Sequence, residues 1–180
     1  GIPFVVIECK RPEEKGSLEQ AIRQNIRNWQ EGEIPHLFIH SQLVLGLNKN
    51  EGSYATTGTA LKFWSKWQEM HDVSAQVEAL VNSPVRPEEH AKLFRGLFAY
   101  AKQEFEERTI NGRKPTGQDF LLWSLCRPER LIELARQFLI YDEGGAVKKV
   151  ARYQQYFAIR STLERIRQRD PQGRRKGRSE

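Results

Sequence analysis

Apolar positions near the start of the chain change period twice, and each change marks a new element. Ile2 to Ile7 is a nearly unbroken apolar run, rich in β-branched and aromatic residues. It predicts a strand buried on both faces, ending in Glu8-Cys9-Lys10, with Pro12 stopping the ladder. Leu18, Ile22, Ile26 and Trp29 then recur at helical spacing. They predict a helix over about Ser17 to Glu31, opened by a capping box of Ser17 and Gln20. Two short strands follow at His36 to His40 and Leu43 to Leu47, then a polar turn at Asn48 to Asn50 and a further short strand at Tyr54 to Thr57. Strand, helix, strand, strand is the order of a small α/β core.

Beyond Phe63 the pattern is mostly helical. Phe63, Trp64 and Trp67 open a helical stretch, and helices continue from about Asp72 with breaks at Pro84, Pro87 and Gly112 to Gly117. Arg127-Pro128 begins a helix with Leu131, Leu134, Ala135 and Phe138 on one face, ended by Gly144-Gly145. A last amphipathic helix is predicted over about Lys148 to Arg169, with Val150, Tyr153, Phe157 and Ile166 on its apolar side. The organisation read from these patterns is residues 1–70 as an α/β core, 71–147 as a helical connector, and 148–180 as a helix with a basic tail.

Composition narrows the classes. The chain has 180 residues with 38% hydrophobic and 29% charged positions, which suits a soluble globular protein. No apolar run approaches the roughly 18–20 residues of a membrane span, so no membrane partner is expected. The chain opens inside an apolar run without an initiator methionine or the order of a signal peptide, which reads as a cut start. Cys9 and Cys126 lack ligand spacing, which argues against zinc; they read as two buried, reduced thiols of a cytoplasmic protein, with a disulfide as the alternative. The net charge is +6, and residues 160–180 carry eight Lys and Arg against three Asp and Glu. Most of the excess is therefore a C-terminal tail, suited to phosphate contacts or simply a solvated end.

The candidate chemistry begins at the first strand. Glu8 and Lys10 are two residues apart, so on a strand they share a face while Cys9 points the other way, into the core. A carboxylate beside an ammonium at a strand end suits phosphodiester hydrolysis. The carboxylate binds Mg²⁺, and the lysine stabilises the charge that develops on phosphorus. The same pattern is common on solvated strand faces. The run GIPFVVIECKRPE resembles the Glu-x-Lys strand of PD-(D/E)xK nucleases, in the form found in the restriction subunit of type I restriction-modification enzymes. AIRQNIRNWQEGEIPHLFIHSQLVLGLNKNEGSYATTGT resembles the helix, strand pair and loop that follow in that family. KKVARYQQYFAI resembles the segment just before its first helicase motor domain.

The resemblance implies a partial PD-(D/E)xK nuclease core, a mixed sheet with flanking helices, followed by a mostly helical connecting region. Position by position, Glu8 would be the metal-binding carboxylate, Lys10 the catalytic lysine, and Gln24 the glutamine of the family's Gln-xxx-Tyr motif. Its tyrosine position is Asn28 here, with Trp29 beside it. Gln20, Gln24 and Asn28 share one helix row. Arg152, Gln155 and Ala158 resemble the Q-type motif of superfamily-2 helicases, in which a glutamine amide donates to and accepts from the adenine edge of ATP. The implied cofactors are Mg²⁺, ATP in the full-length protein and S-adenosylmethionine in the complex. The implied partners are double-stranded DNA and the methylation and specificity subunits, in the cytoplasm.

Two departures qualify this. The family's first catalytic aspartate precedes the Glu-x-Lys strand, whereas the first aspartate here is Asp72, and no phosphate-binding loop follows Gln155. Glu13 and Glu14 are other carboxylates in the neighbourhood, expected on a loop. The 180 residues alone are therefore expected not to cut DNA. Incubation with Mg²⁺ and supercoiled plasmid tests this, and Glu8-dependent nicking would contradict it. The chain alone is likewise expected to bind triphosphate very weakly or not at all. The rival readings are a truncated, non-catalytic DNA-binding or subunit-assembly fragment, and a repair nuclease of the same fold. The four histidines are expected to be structural, and Phe63, Trp64 and Trp67 to be core rather than base-stacking. Tyr54 to Thr59 reads either as a loop that touches DNA phosphates or as a hydroxyl-rich turn.

Overall fold

The computed structural model describes residues 1–96, 99–142, 144 and 147–168. Strand β1 (Val5–Cys9) runs parallel to β2 (Leu43–Leu47), in a register that sets Val5 against Leu43 and Glu8 against Gly46. A parallel pair cannot be closed by a tight turn, and the chain crosses over through helix α1 (Ser17–Asn28). It then turns back after β2 into antiparallel β3 (Gly52–Ala55), giving the order β1-β2-β3. The turn is built by Asn48, whose side-chain oxygen accepts the N–H groups of Asn50 and Glu51, both at 2.8 Å. The architecture is thus α/β with a small mixed sheet.

Alternation along these strands gives the sheet two different faces. Val44 and Gly46 face α1. Leu43, Leu45, Leu47 and Tyr54 face a core completed by Leu121 and Leu125 of α5 (Gly117–Cys126), Leu134 of α6 (Pro128–Gln137), Phe138, and Tyr156 of α7 (Tyr153–Arg167). That core draws on residues from both ends of the chain. Helices α2 (Ser74–Val81), α3 (Pro87–Leu93) and α4 (Ala99–Asn111) lie between, and Pro87 and Pro128 each open a helix where a missing N–H costs nothing. No helix of the described residues is long and apolar enough to cross a membrane.

Several local expectations are corrected. β1 is not buried on both faces. Val5 and Val6 are half-buried, but Ile7 and Cys9 are exposed, because β1 has one neighbour among the described strands and the core lies under β2. Cys9 therefore does not enter the core. Cys126 is half-buried, with its thiol pushed up to about 11 by burial, and neither cysteine is in a disulfide.

The capping box at Ser17 does not form. Left-handed Gly16 (φ 69°) takes the N-cap, Ser17 accepts from the Asn48 amide at 2.9 Å, and Gln20 donates to the Lys15 carbonyl. His36 to His40 is no strand, because Pro35 starts a 3₁₀ turn closed by the Phe38 N–H on its carbonyl. Phe63 likewise closes a short 3₁₀ turn rather than opening a helix.

The last helix begins later than expected. Leu139–Asp142 and Val147–Val150 form an antiparallel hairpin, β4 and β5, so Lys148 and Val150 are strand residues. The expected basic tail beyond Gln168 lies outside the described residues.

A capping box does form where none was expected, at α5. Thr116 and Asp119 cap each other, and Arg113 grips the Asp119 carboxylate with two hydrogen bonds of 2.6 and 2.8 Å. Burial alone would raise the Asp119 pKa. The bonds from Arg113, the Thr116 N–H and the Thr116 hydroxyl outweigh it and hold the carboxyl at about 2. A depressed carboxylate contributes stability above its unfolded value of 3.8 and loses it as the pH falls towards about 2. The stability gap between wild type and Asp119→Asn is accordingly expected to close over that window. Urea midpoints measured at a series of pH values check this, and a gap independent of pH would contradict it.

Candidate active site

Glu8 ends up on the α1 side of the sheet, beside Gly46. Lys10 follows one residue past the strand end, and its N–H continues the ladder to the Leu47 carbonyl at 2.9 Å. Its ammonium lies 3.1 Å from a Glu8 oxygen and donates to the side-chain carbonyl of Gln24 on α1. The side chains of Lys10 and Glu8 are 24% and 21% exposed, shielded enough to hold a geometry and open enough to meet a ligand. The structure thus brings Glu8, Lys10 and Gln24 together at the end of β1. Of the rest of the predicted helix row, Gln20 is exposed on the Lys15 carbonyl and Asn28 is half-buried at the end of α1.

The arrangement depends on how closely α1 approaches the sheet. A Cβ built on Gly46 would lie 3.0 Å from Ile22 Cγ1 and 3.2 Å from the Ile22 nitrogen. Asn25, 1% exposed, donates its amide to the Leu45 carbonyl at 3.0 Å. Neither residue carries a motif in the sequence. The available signal was a polar Asn inside the apolar stripe of a helix, which marks a buried hydrogen bond as readily as a surface position.

The nearby carboxylates of the loop after β1 do not join this cluster. Glu13 and Glu14 are exposed and line a separate hollow of about 570 Å³ with Ser17, Asn48 and Glu51, whose walls include neither Glu8 nor Lys10. Among the described residues, no group of three or more His, Cys, Asp or Glu side chains gathers where it could hold a metal ion.

Arg152, Gln155 and Ala158 line a groove of about 940 Å³, opposite Thr57, Gly58 and Thr59 and beside Phe63 and Ile159. The Gln155 side-chain oxygen accepts the Arg152 N–H at 2.8 Å, which caps α7. The hydroxyls opposite are engaged too. Thr57 bonds Ser41, Thr56 bonds Thr59, and Thr56 donates to the Lys148 carbonyl at 2.6 Å. They act as a hydroxyl-rich turn that ties this loop to β5.

Trp67 packs among Tyr54, Tyr156 and Phe157, as a core residue should. Trp64 stacks on Trp29, while Phe63 is 55% exposed. His36, His40 and His71 are exposed, and His90 packs against Phe94 and Phe105.

Residues 1–63, which hold Glu8, Lys10 and Gln24, match the family model of the type I restriction enzyme R protein N terminus. That match covers about the first third of the chain. Two proteins of Methanocaldococcus jannaschii are similar over most of the chain. One is named as the type I restriction enzyme MjaVIIIP endonuclease subunit, 26% identical over 171 residues. The other is named as the MjaIXP endonuclease subunit, 24% identical over 169 residues. Each similarity covers 92% of this chain but only 12% and 14% of the respective relative, so the chain spans a small part of the length of the proteins it matches. No solved structure matches. Arg152 and Gln155 lie outside the residues that the R-protein family model matches.

Proposed function

We propose that this chain provides a PD-(D/E)xK-type nuclease region of a type I restriction R subunit, in which Glu8, Lys10 and Gln24 act on a DNA phosphodiester. The observation that carries this reading is the Lys10 ammonium, held between the Glu8 carboxylate and the Gln24 amide at the end of β1. A phosphate entering there meets a localised positive charge that is already oriented, so charge developing on its oxygens needs little reorganisation to be stabilised. Gln24 aims the ammonium. Glu8 keeps the lysine from drifting and would offer its carboxylate to a further ligand.

Mg²⁺ fits this site in part. The ion is commonly bound by one or two carboxylates, with waters and substrate phosphates completing its shell. Glu8 would hold it. When bound, the ion supplies neutralisation of the phosphate and a more acidic water. Among the described residues, no group of three or more His, Cys, Asp or Glu side chains adds to Glu8.

In the whole R subunit, cleavage would be coupled to ATP-driven translocation on double-stranded DNA. The methylation and specificity subunits would supply target recognition and the S-adenosylmethionine site. Arg152 and Gln155 are our candidates for adenine contacts. The fit is incomplete as they stand, because the acceptor half of the Gln155 amide is committed to the helix cap. The nuclease reading is tested by DNA cleavage in an R protein carrying Glu8 or Lys10 substitutions. Selective loss of cleavage, with ATP hydrolysis retained, is the expected result. Unchanged cleavage would instead favour a DNA-binding or subunit-assembly role.

A further inference from the structure

Helix α1 rests on the sheet through Ala21, Ile22 and Asn25. Two of these are ordinary apolar contacts, but Asn25 is not. A buried amide is costly unless it is paired, and a leucine at that point of a helix–sheet interface would pack without the need for a partner. What Asn25 adds is direction, since its amide donates to one particular carbonyl, that of Leu45 in the central strand, at 3.0 Å. Gly46 lets α1 come close to the sheet, and the Asn25 bond fixes how far the helix is turned about its own axis.

That rotation matters for the next residue. Gln24 precedes Asn25 and so projects about 100° around the helix. It sits on the flank towards Lys10, where it accepts from the ammonium. Turning α1 by roughly 30° would swing the Gln24 Cα by about 1 Å, given a Cα radius near 2.3 Å, and the amide tip by more. Hydrogen-bond geometry does not survive a displacement of that size.

We propose that Asn25 is a positioning residue for the Glu8–Lys10–Gln24 group, acting through Gln24 by locking the rotation of α1. The proposal concerns the arrangement of these side chains, and its catalytic consequence rests on the nuclease reading above.

The test uses the 180-residue chain, isotopically labelled, and two signals in nuclear magnetic resonance spectra. These are the slowly exchanging Lys10 ammonium resonance and the cross-peaks between the Lys10 and Gln24 side chains. Asn25→Leu is expected to abolish both, and Gln24→Leu the ammonium signal, while the melting temperature and the spectrum of the sheet stay close to wild type. A residue that served packing alone would move the melting temperature and leave the Lys10 signals in place. Asn25→Ala reads the same contact should the leucine variant fold poorly. Persistence of the Lys10–Gln24 contact in either variant overturns the proposal. The two readings fail separately, because cleavage unaffected by Lys10→Ala in an R protein would sink the catalytic reading and leave the hold of Asn25 on Gln24 intact.

Discussion

Replacing Gly117 by alanine is expected to destabilise the protein by about 3 kcal/mol, near the upper end of the overpacking range. Gly117 is the first residue of α5, and the helix starts directly on the β2–β3 turn, where the Gln118 N–H donates to the Lys49 carbonyl at 3.2 Å. A Cβ at Gly117 would lie 1.8 Å from the Asn50 carbonyl oxygen and 2.5 Å from its carbon. Both obstacles are backbone, so no side-chain rotation relieves them, and either the turn or the helix has to move. Moving the turn disturbs the Asn48 hydrogen bonds that join β2 to β3. Moving the helix withdraws Leu121 and Leu125, 5% and 0% exposed, from the core. For a chain of this size the penalty corresponds to a fall in melting temperature of roughly 10 °C. Thermal unfolding followed by circular dichroism checks it, and a melting temperature equal to wild type would show that α5 does not start against this turn.

Lys10→Ala is expected to lower DNA cleavage by an R protein carrying this region by about 10²–10³-fold, the usual effect of removing one preorganised donor from developing charge. Folding should be little affected. The Glu8–Lys10 pair is partly exposed, and such pairs contribute roughly 0–1 kcal/mol. The substitution therefore separates chemistry from stability. It leaves the Glu8 carboxylate in place and removes the charge that Gln24 orients. Cleavage rates on a linear substrate, measured with the melting temperature of the same preparation, give both quantities. A variant that cuts at the wild-type rate would remove Lys10 from the chemistry.

The sequence made β1, α1, β2 and the later helix α6 legible because each carries a strong period or an unambiguous breaker. It also placed Glu8, Lys10 and Gln24 in the right segments. What it did not show follows from tertiary context. β1 reads as a fully buried strand, but among the described residues it has one strand beside it and its apolar residues past Val6 are exposed, which the sequence does not reveal. Ser17 and Gln20 have the spacing of a capping box, but Gly16 can adopt a left-handed conformation and displaced the cap by one residue. Leu139–Asp142 and Val147–Val150 are too short for a period, so the hairpin was absorbed into its neighbouring helices. On α7 the amphipathic reading singled out Tyr153, Phe157 and Ile166. The residue with no exposure is Tyr156, while Ile166 is 50% exposed. The sequence marks Gly117 as a breaker, whereas its role is close approach of backbone to backbone. Asn25 and Gly46 carry no motif at all, and their importance exists only once α1 lies on the sheet.

The central claim is that the end of β1 is a nuclease site whose carboxylate is Glu8. The most direct measurement is double-strand cleavage by an R protein bearing Glu8→Gln, a nearly isosteric change that removes the charge, with ATP hydrolysis followed in the same reaction. The expected result is cleavage reduced by about a hundredfold or more while ATP hydrolysis is unchanged. Cleavage at the wild-type rate in the Glu8→Gln protein would contradict the account.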